Sequence, residues 1–302
     1  MRIETIDLEF QGRSEVVASY LLTGGGSAGI VETGPTSCTD ALLSGLASRH
    51  ISPENIESVF LTHIHLDHSG GAGHVAEALP NAKFYVHEVG AQHIADPSKL
   101  WRSAARIYGA DRMEELWGEA KPVPEDRIVT LKGEREEIEV GGGRLIAHDT
   151  PGHAYHHLAF YDPESSAMFT GDVTGVRLPG SLYVRPPTPP PEVDVEAWTG
   201  SLQTIRRVQP DSIYPTHYGR HDDVGRHLDE LEVRLMSWLA AVEKEMLDGR
   251  DRDEITAALK RRGDAEMFEA GLSQADSERY DLAGNYGMLT DGLLRYVKKK
   301  NA

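Results

Sequence analysis

Four side chains that bind divalent metals lie close together at the end of an apolar segment. Residues 56–65 have the composition of a buried strand and contain His63 and His65, and Asp67 and His68 follow directly. Because alternate residues of a strand point to the same face, His63 and His65 can converge on one ion. Asp67 and His68 lie beyond the strand end and cannot easily reach the same point. A catalytic zinc usually takes three protein ligands and a water, so the cluster predicts halves of two metal sites.

Two complete sites need further ligands, and three candidates stand at the ends of later predicted strands. They are His153 after a Thr-Pro-Gly turn, Asp172 after a Phe-Thr-Gly segment, and His217 after a Tyr-Pro-Thr segment. Seven ligands suit two ions that share a carboxylate and a hydroxide. Histidine and carboxylate ligands favour zinc, with manganese, iron or cobalt as substitutes. Cys38 is the only cysteine, which excludes a disulfide within the chain and a zinc site built from thiolates.

The rest of the pattern alternates strands and helices, which predicts an α/β sandwich. A helical insert is expected at about residues 88–126, and a Pro-rich loop covers residues 181–194. After residue 222 the chain reads as helical, with apolar stripes at i, i+3 and i+4 spacing. We therefore expect a main domain over residues 1–222 and a helical extension over residues 223–302. The stripes would pack on the main domain or on a second subunit, as in a homodimer.

These motifs resemble the metallo-β-lactamase-fold hydrolases. The resemblance covers roughly residues 3–218 and rests on the segments 62–68, 150–153 and 171–172 and on His217. It implies a four-layer αβ/βα sandwich with the site at the sheet edges. It also implies two ions with the following ligands: His63, His65 and His153 on the first, Asp67, His68 and His217 on the second, and Asp172 as the bridge.

Three positions qualify the resemblance. Glu32 stands where many members have aspartate, and that acidic residue usually supports the site without binding the metal. The second ion has Asp67 and no cysteine, unlike the true β-lactamases with a cysteine ligand. The first ion has His65 where the diiron flavoproteins typically show glutamate. The family often has a histidine at the position of His157, in a supporting role.

The implied reaction is hydrolysis of a small-molecule ester, lactone or phosphoester by a hydroxide between the ions, with Asp67 and Asp172 as catalytic residues. Lactonase-like, phosphodiesterase-like and glyoxalase II-like members all share these ligands. A glyoxalase II-like thioesterase is therefore an alternative. An iron persulfide dioxygenase is another, because those enzymes resemble the pattern, but they use one iron and the second-site ligands Asp67 and His68 count against it. A metal-binding sensor on the same fold is the alternative that is not an enzyme.

Aromatic and basic residues outside the motifs are candidates for the walls of the substrate pocket. They are Trp101, Tyr108 and Trp117 in the insert, Tyr183 and Arg185 before the prolines, and Tyr218 after the last ligand. Packing of the insert onto the main domain is an equally good interpretation of its aromatic residues.

The charge and hydropathy of the chain limit the classes of partner that it can bind. The net charge of −17 and the pI near 5.2 argue against nucleic-acid binding. The first residues are charged and alternating, unlike a signal peptide, and we find no apolar run long enough to span a bilayer. We expect a cytoplasmic protein whose partner is a small-molecule substrate.

Overall fold

The computed structural model describes residues 1–301, which form two facing β-sheets covered by helices. The first sheet has its strands in chain order, as follows: β1 (Arg2–Asp7), β2 (Ala18–Gly24), β3 (Ser27–Val31), β4 (Ile56–Phe60), β5 (Lys83–His87) and β6 (Ile128–Leu131). The second sheet runs in the order β11-β10-β9-β8-β7, with these strands: β7 (Glu134–Val140), β8 (Gly143–Asp149), β9 (Leu158–Asp162), β10 (Ala167–Gly171) and β11 (Ser212–Pro215).

Helices connect the strands and form the outer layers. Their bounds in chain order are α1 (Thr39–Ser48), α2 (Leu66–Ser69), α3 (Ala72–Ala78), α4 (Glu88–Ala95), α5 (Ser98–Tyr108), α6 (Met113–Trp117), α7 (Val195–Val208), α8 (Val224–Leu247), α9 (Arg252–Glu269), α10 (Gln274–Ala283) and α11 (Tyr286–Lys300). Within residues 1–301, none of them is both long enough and apolar enough to cross a membrane.

Parallel pairing brings the functional segments to one edge. Strands β3 to β6 pair in parallel, as do β10 and β11. Parallel neighbours require crossover connections, and here helices α1 to α7 supply them. The carboxyl ends of β4, β10 and β11 therefore open toward the same region. The segments with the predicted ligands leave the sheets there.

Aromatic side chains fill the space between the sheets. Phe60 and Phe160 meet at 5.2 Å between ring centroids, and Tyr20 and Phe169 at 5.5 Å. All four are fully buried. Burial of each such ring contributes about 2 kcal/mol. This core holds the two sheets at a fixed separation, so the site at their edge has rigid support.

The outer face of the second sheet packs against C-terminal helices. Trp198 of α7, Trp238 of α8 and Leu293 of α11 belong to one buried cluster with Met168 of β10. The apolar stripes predicted after residue 222 are therefore buried on the main body. The sandwich and its helical C-terminal region confirm the predicted fold class, and helices α4 to α6 occupy the predicted insert. The division into domains at residue 222 stays a prediction.

Candidate metal centre

The segment after β4 brings four of the predicted ligands to the sheet edge. Strand β4 ends at Phe60, so His63 and His65 lie in the connection that follows it. The predicted extension of this strand to residue 65 is therefore wrong. Asp67 and His68 lie in the short helix α2, and the ring of His68 packs 3.9 Å from that of His63, measured between centroids.

Three histidines form the first cluster. The Nδ1 atom of His65 lies 2.9 Å from Nε2 of His63 and 3.0 Å from Nε2 of His153. The outer nitrogen of His153, Nδ1, donates to the carbonyl of Pro187 at 2.9 Å. This bond fixes the tautomer and leaves the Nε2 lone pair of His153 free to face the other two histidines.

Asp67, His68 and His217 form the second cluster. Oδ2 of Asp67 lies 3.4 Å from Nε2 of His217 and 3.8 Å from Nε2 of His68. The Nδ1 atom of His217 donates to the carbonyl of Val16 at 2.7 Å. Each cluster thus contains a histidine whose outer nitrogen is held by a backbone carbonyl.

The carboxylate of Asp172 lies between the clusters. Its Oδ1 atom is 3.3 Å from Nε2 of His68 and 3.6 Å from Nε2 of His217, whereas Oδ2 is 3.4 Å from Nε2 of His153. The backbone N–H of Asp172 donates to Nε2 of His157 at 3.2 Å. His157 therefore supports this loop, as the resemblance implied.

Three buried atoms between the two clusters indicate whether the site fits a cation. Nε2 of His68, Nε2 of His217 and Oδ1 of Asp172 are buried, and no hydrogen-bond partner reaches them among the described residues. Leaving a buried polar atom unpaired costs about 1–3 kcal/mol. Three such atoms converging on one point fit a divalent cation with nitrogen and oxygen ligands.

The electrostatics agree with cation binding. Burial, reinforced by neighbouring histidines, holds the pKa of His63 well below its usual value and lowers the pKa of His65 to about 3. Both are therefore neutral near pH 7, as ligands must be. Burial alone would lower the pKa of His68, but the carboxylates of Asp172 and Asp67 raise it well above its usual value. The second cluster attracts positive charge.

Glu32 supports the second cluster from behind. It is fully buried, and Oε1 accepts from Nδ1 of His68 and from Oγ1 of Thr216, both at 3.1 Å. Thr62 donates to it through its hydroxyl and its backbone N–H. Glu32, His63 and His68 could also be taken as a metal cluster by proximity. The carboxylate is already occupied by these donors, so we assign it a supporting role.

A cavity of about 300 Å³ opens above the clusters. Asp67, Asp172, His65 and His153 form part of its lining. Its other walls come from the segments that carry the ligands, the insert, the Pro-rich loop and the C-terminal helices, with these residues: Ile64, Leu66, His93, Lys99, Leu100, Ser103, Ala104, Ile107, Tyr108, Trp117, His156, Pro187, Pro189, Pro190, Pro191, Glu192, Leu282, Ala283 and Met288. Of the predicted wall residues, Tyr108 and Trp117 are present.

Tyr183 and Arg185 require a correction, because both are buried in a different place. Arg185 donates to Asp281 at 2.8 Å, and its guanidinium lies 4.7 Å from the ring centroid of Tyr286. Tyr183 packs edge-on against Tyr280. A buried guanidinium needs such partners, and α10 and α11 provide them. The two residues therefore join the C-terminal helices to the main body and do not form a wall of the cavity.

Trp101 and Tyr218 also do not line the cavity, for different reasons. The face of α5 toward the cavity carries Leu100, Ala104 and Ile107, spaced three or four residues apart. Trp101 is one position away, so it points to another face and packs on the first-sheet core. Tyr218 is half-buried against the core between the sheets.

Sequence reasoning missed the contribution of the C-terminal helices. Leu282 and Met288 line the cavity, and the sulfur of Met288 accepts from the hydroxyl of Tyr108 at 3.3 Å. Glu192 and Lys99 were also missed. The spacing of the apolar residues on α5 could have identified that wall. The sequence carries no comparable signal for residues that approach from helices far along the chain.

Comparison with known proteins shows the family to which this chain is similar. The family model of the metallo-beta-lactamase superfamily matches residues 13–217. A metallo-beta-lactamase fold-containing protein of Sulfurisphaera tokodaii is 28% identical over 169 residues, which are 55% of this chain and 62% of that protein. An atrochrysone carboxyl ACP thioesterase of Aspergillus fumigatus is 25% identical over 257 residues, covering 83% of this chain and 67% of the thioesterase.

Two further comparisons concern a named hydrolase and the fold. A hydroxyacylglutathione hydrolase of Cereibacter sphaeroides is 25% identical over 183 residues, covering 60% of this chain and 56% of the hydrolase. The chain thus spans less than two thirds of that hydrolase and of the archaeal relative. The crystal structure of a metallo-beta-lactamase family protein from Thermus thermophilus has a TM-score of 0.71 at 23% identity, over 99% of this chain and 94% of that one. On the family match and the shared fold, this chain belongs to the metallo-beta-lactamase superfamily.

Proposed function

We propose that this chain binds two divalent cations, zinc in the first instance, and hydrolyses carboxylic ester bonds of small molecules. The observation that carries the proposal is the shared position of Asp172 between two ligand clusters at the floor of an apolar cavity. His63, His65 and His153 would hold one cation, Asp67, His68 and His217 the other, and Asp172 both. Cations so placed supply Lewis acidity, which polarises the bond under attack and lowers the pKa of a nearby water.

The chain's own residues prepare the site. The outer hydrogen bonds of His153 and His217 fix the direction of their ring nitrogens. Asp67 and Asp172 reach the cavity surface, so their carboxylates are available to hold and orient a water or the proton that it releases. The apolar walls exclude bulk water and strengthen these interactions.

The cavity lining favours carboxylic esters over phosphoesters. A phosphodiester or phosphomonoester brings at least one negative charge besides the bond that is attacked, and such charges are usually held by arginine or lysine. Lys99 is the lysine in this lining, whereas apolar and aromatic residues form most of it. Lactones and aryl esters with apolar substituents match these walls.

Thioesters are the second candidate substrate class. Two relatives at 25% identity are named as an ACP thioesterase and a hydroxyacylglutathione hydrolase. A thioester carbonyl needs the same polarisation as an ester carbonyl, and its sulfur is a better leaving group. The same site therefore suits both classes.

A substrate panel tests the proposal. Zinc-loaded protein would be assayed on p-nitrophenyl esters, γ- and δ-lactones, an acyl thioester and bis(p-nitrophenyl) phosphate. We expect the carboxylic substrates to be hydrolysed faster, with activity lost on chelation and restored by zinc.

The matched variants are Asp172→Ala and Asp222→Ala. Asp222 is exposed and lies outside the cavity lining. Asp172→Ala should abolish hydrolysis, and Asp222→Ala should leave it unchanged. Hydrolysis that survives chelation or the Asp172 change would contradict the proposal.

A further inference from the structure

One carboxylate of the cavity lining is not explained by the metal clusters. Glu192 lies at the end of the Pro-rich loop, directly after Pro189, Pro190 and Pro191, and its side chain is 28% exposed. Consecutive prolines restrict the backbone, so they hold the position of Glu192 at little entropic cost on binding. A charged side chain held against an apolar cavity needs a reason, because its partial desolvation is unfavourable.

Two bonds orient the Glu192 carboxylate. Its Oε2 atom lies 3.1 Å from Nε2 of His156 and 3.3 Å from the backbone nitrogen of Tyr155. The Nδ1 atom of His156 accepts from the backbone N–H of Ile64 at 3.4 Å, so Nε2 carries the proton and donates to Glu192. His156 is 3% exposed. The carboxylate is thus tied to the two segments that carry His63, His65 and His153.

The same arrangement leaves one oxygen available. Both of these bonds end on Oε2, and no donor among residues 1–301 contacts Oε1. Partial burial would raise the pKa of Glu192, but the hydrogen bond from His156 opposes it, and that pKa is lowered to about 2. The group is therefore an ionised acceptor at neutral pH.

Nothing else in the described lining neutralises this charge. Lys99 lines the same cavity but makes no ion pair with Glu192 in the described chain. Other parts of the lining, at Ile107, Leu282 and Met288, are apolar. A ligand that fills the cavity would therefore meet apolar walls and one oriented anionic acceptor besides the carboxylates of Asp67 and Asp172, which belong to the metal clusters.

We infer that Glu192 is a specificity residue, which accepts a hydrogen bond from a hydroxyl group or a protonated amine on an otherwise apolar substrate. This inference rests on the proposed hydrolase function and narrows its substrate class. Esters or lactones that carry such a donor bind better than equally apolar ones that lack it. His156 acts as a positioning residue, because it reaches the substrate only through Glu192.

Binding of probes without a hydrolysable bond tests the inference separately from hydrolysis. The probes are 3-phenylpropylammonium, 3-phenylpropanol and 3-phenylpropyl methyl ether, and their Kd values on zinc-loaded protein would be measured by calorimetry. We expect at least one of the two donors to bind about tenfold or more tightly than the ether, as a hydrogen bond to a charged group implies. If the ether binds as tightly as both donors, the inference is overturned.

Two substitutions of Glu192 identify the donor. Glu192→Leu should bring the favoured donor to the affinity of the ether. Glu192→Gln keeps a neutral acceptor, so it should weaken the ammonium probe about tenfold while the alcohol changes little. If either substitution weakens all three probes equally, or lowers zinc content, then Glu192 has only a structural role and the inference is overturned.

Glu196→Gln is the matched control. Glu196 lies four residues further along, on α7, and its carboxylate contacts Tyr296 and Lys300 outside the cavity. This change removes the same charge from the same region. We expect it to leave all three Kd values unchanged, and a loss equal to that of Glu192→Gln would reduce the effect to general electrostatics and overturn the inference.

Discussion

Replacement of Glu32 by glutamine should weaken the second metal site selectively. The carboxylate of Glu32 is fully buried and receives hydrogen bonds from His68, Thr62 and Thr216. An amide has one acceptor oxygen where the carboxylate has two, so at least one donor loses its partner. Nδ1 of His68 is the donor that matters for metal binding, because it sets the direction of Nε2.

The magnitude follows from the loss of one hydrogen bond to a buried charged group. Such a bond contributes about 1.5–3 kcal/mol, which corresponds to about 10–100-fold in affinity. The same range is typical when groups that orient metal ligands are replaced. The first site contacts Glu32 only indirectly, through the bond between Thr62 and Nδ1 of His63. We expect its affinity to fall by less than about tenfold.

Competition with a fluorescent zinc chelator resolves the two affinities. The control is Glu57→Gln, a loss of charge at an exposed position of β4. Circular dichroism would establish that the Glu32 variant is folded before its affinities are compared. Equal weakening of both sites, or no weakening of either, would refute the supporting role assigned to Glu32.

Three further predictions concern the turn, the pH dependence and the cavity. Gly152→Ala should lower the free energy of unfolding by more than about 2 kcal/mol and reduce metal content, because the new Cβ would lie 2.3 Å from Cα of Trp198, whereas Gly180→Ala, with open space around it, should cost less. Burial lowers the pKa of His227 to about 3 from 6.5. The unfolded chain therefore binds one more proton between these values. This group should therefore contribute a fall of about 1 kcal/mol in the unfolding free energy, measured in urea, from pH 6.5 to 5.5, and His227→Gln should remove that contribution. Met288→Ala should raise the ratio of kcat/KM for hexanoyl esters to kcat/KM for acetyl esters about tenfold. An unchanged ratio would mean that this side chain does not contact the acyl group of the substrate.

The ligand set was predictable because its signal is local. Histidine and aspartate residues at the ends of successive strands remain near one sheet edge however the outer helices pack. The predicted convergence of His63 and His65 does not depend on the predicted end of the strand. Strand β4 ends at Phe60, yet the two histidines still converge, because the connection after the strand is short and buried. Their roles as ligands stay predictions until metal is measured.

The cavity walls were less predictable because they depend on contacts far apart in the chain. Arg185 lies in the Pro-rich loop, but it is buried by α10 and α11, which come about a hundred residues further along the chain. Its charge suggested an accessible side chain, and the partners Asp281 and Tyr286 could not be assigned to it from spacing. His227 is buried for a similar reason, since its Nε2 atom donates to the carbonyl of Thr174 at 2.7 Å.

Metal stoichiometry tests the central claim most directly. The unmodified protein, Asp172→Ala and Asp222→Ala would each be freed of metal, reloaded with excess zinc and desalted. Their zinc content would then be measured by elemental mass spectrometry. We predict two equivalents per chain for the unmodified protein and for Asp222→Ala, and fewer than one tightly held equivalent for Asp172→Ala, because both clusters lose their shared ligand. A single equivalent in the unmodified protein, or two equivalents retained in Asp172→Ala, would contradict a binuclear centre bridged by this aspartate.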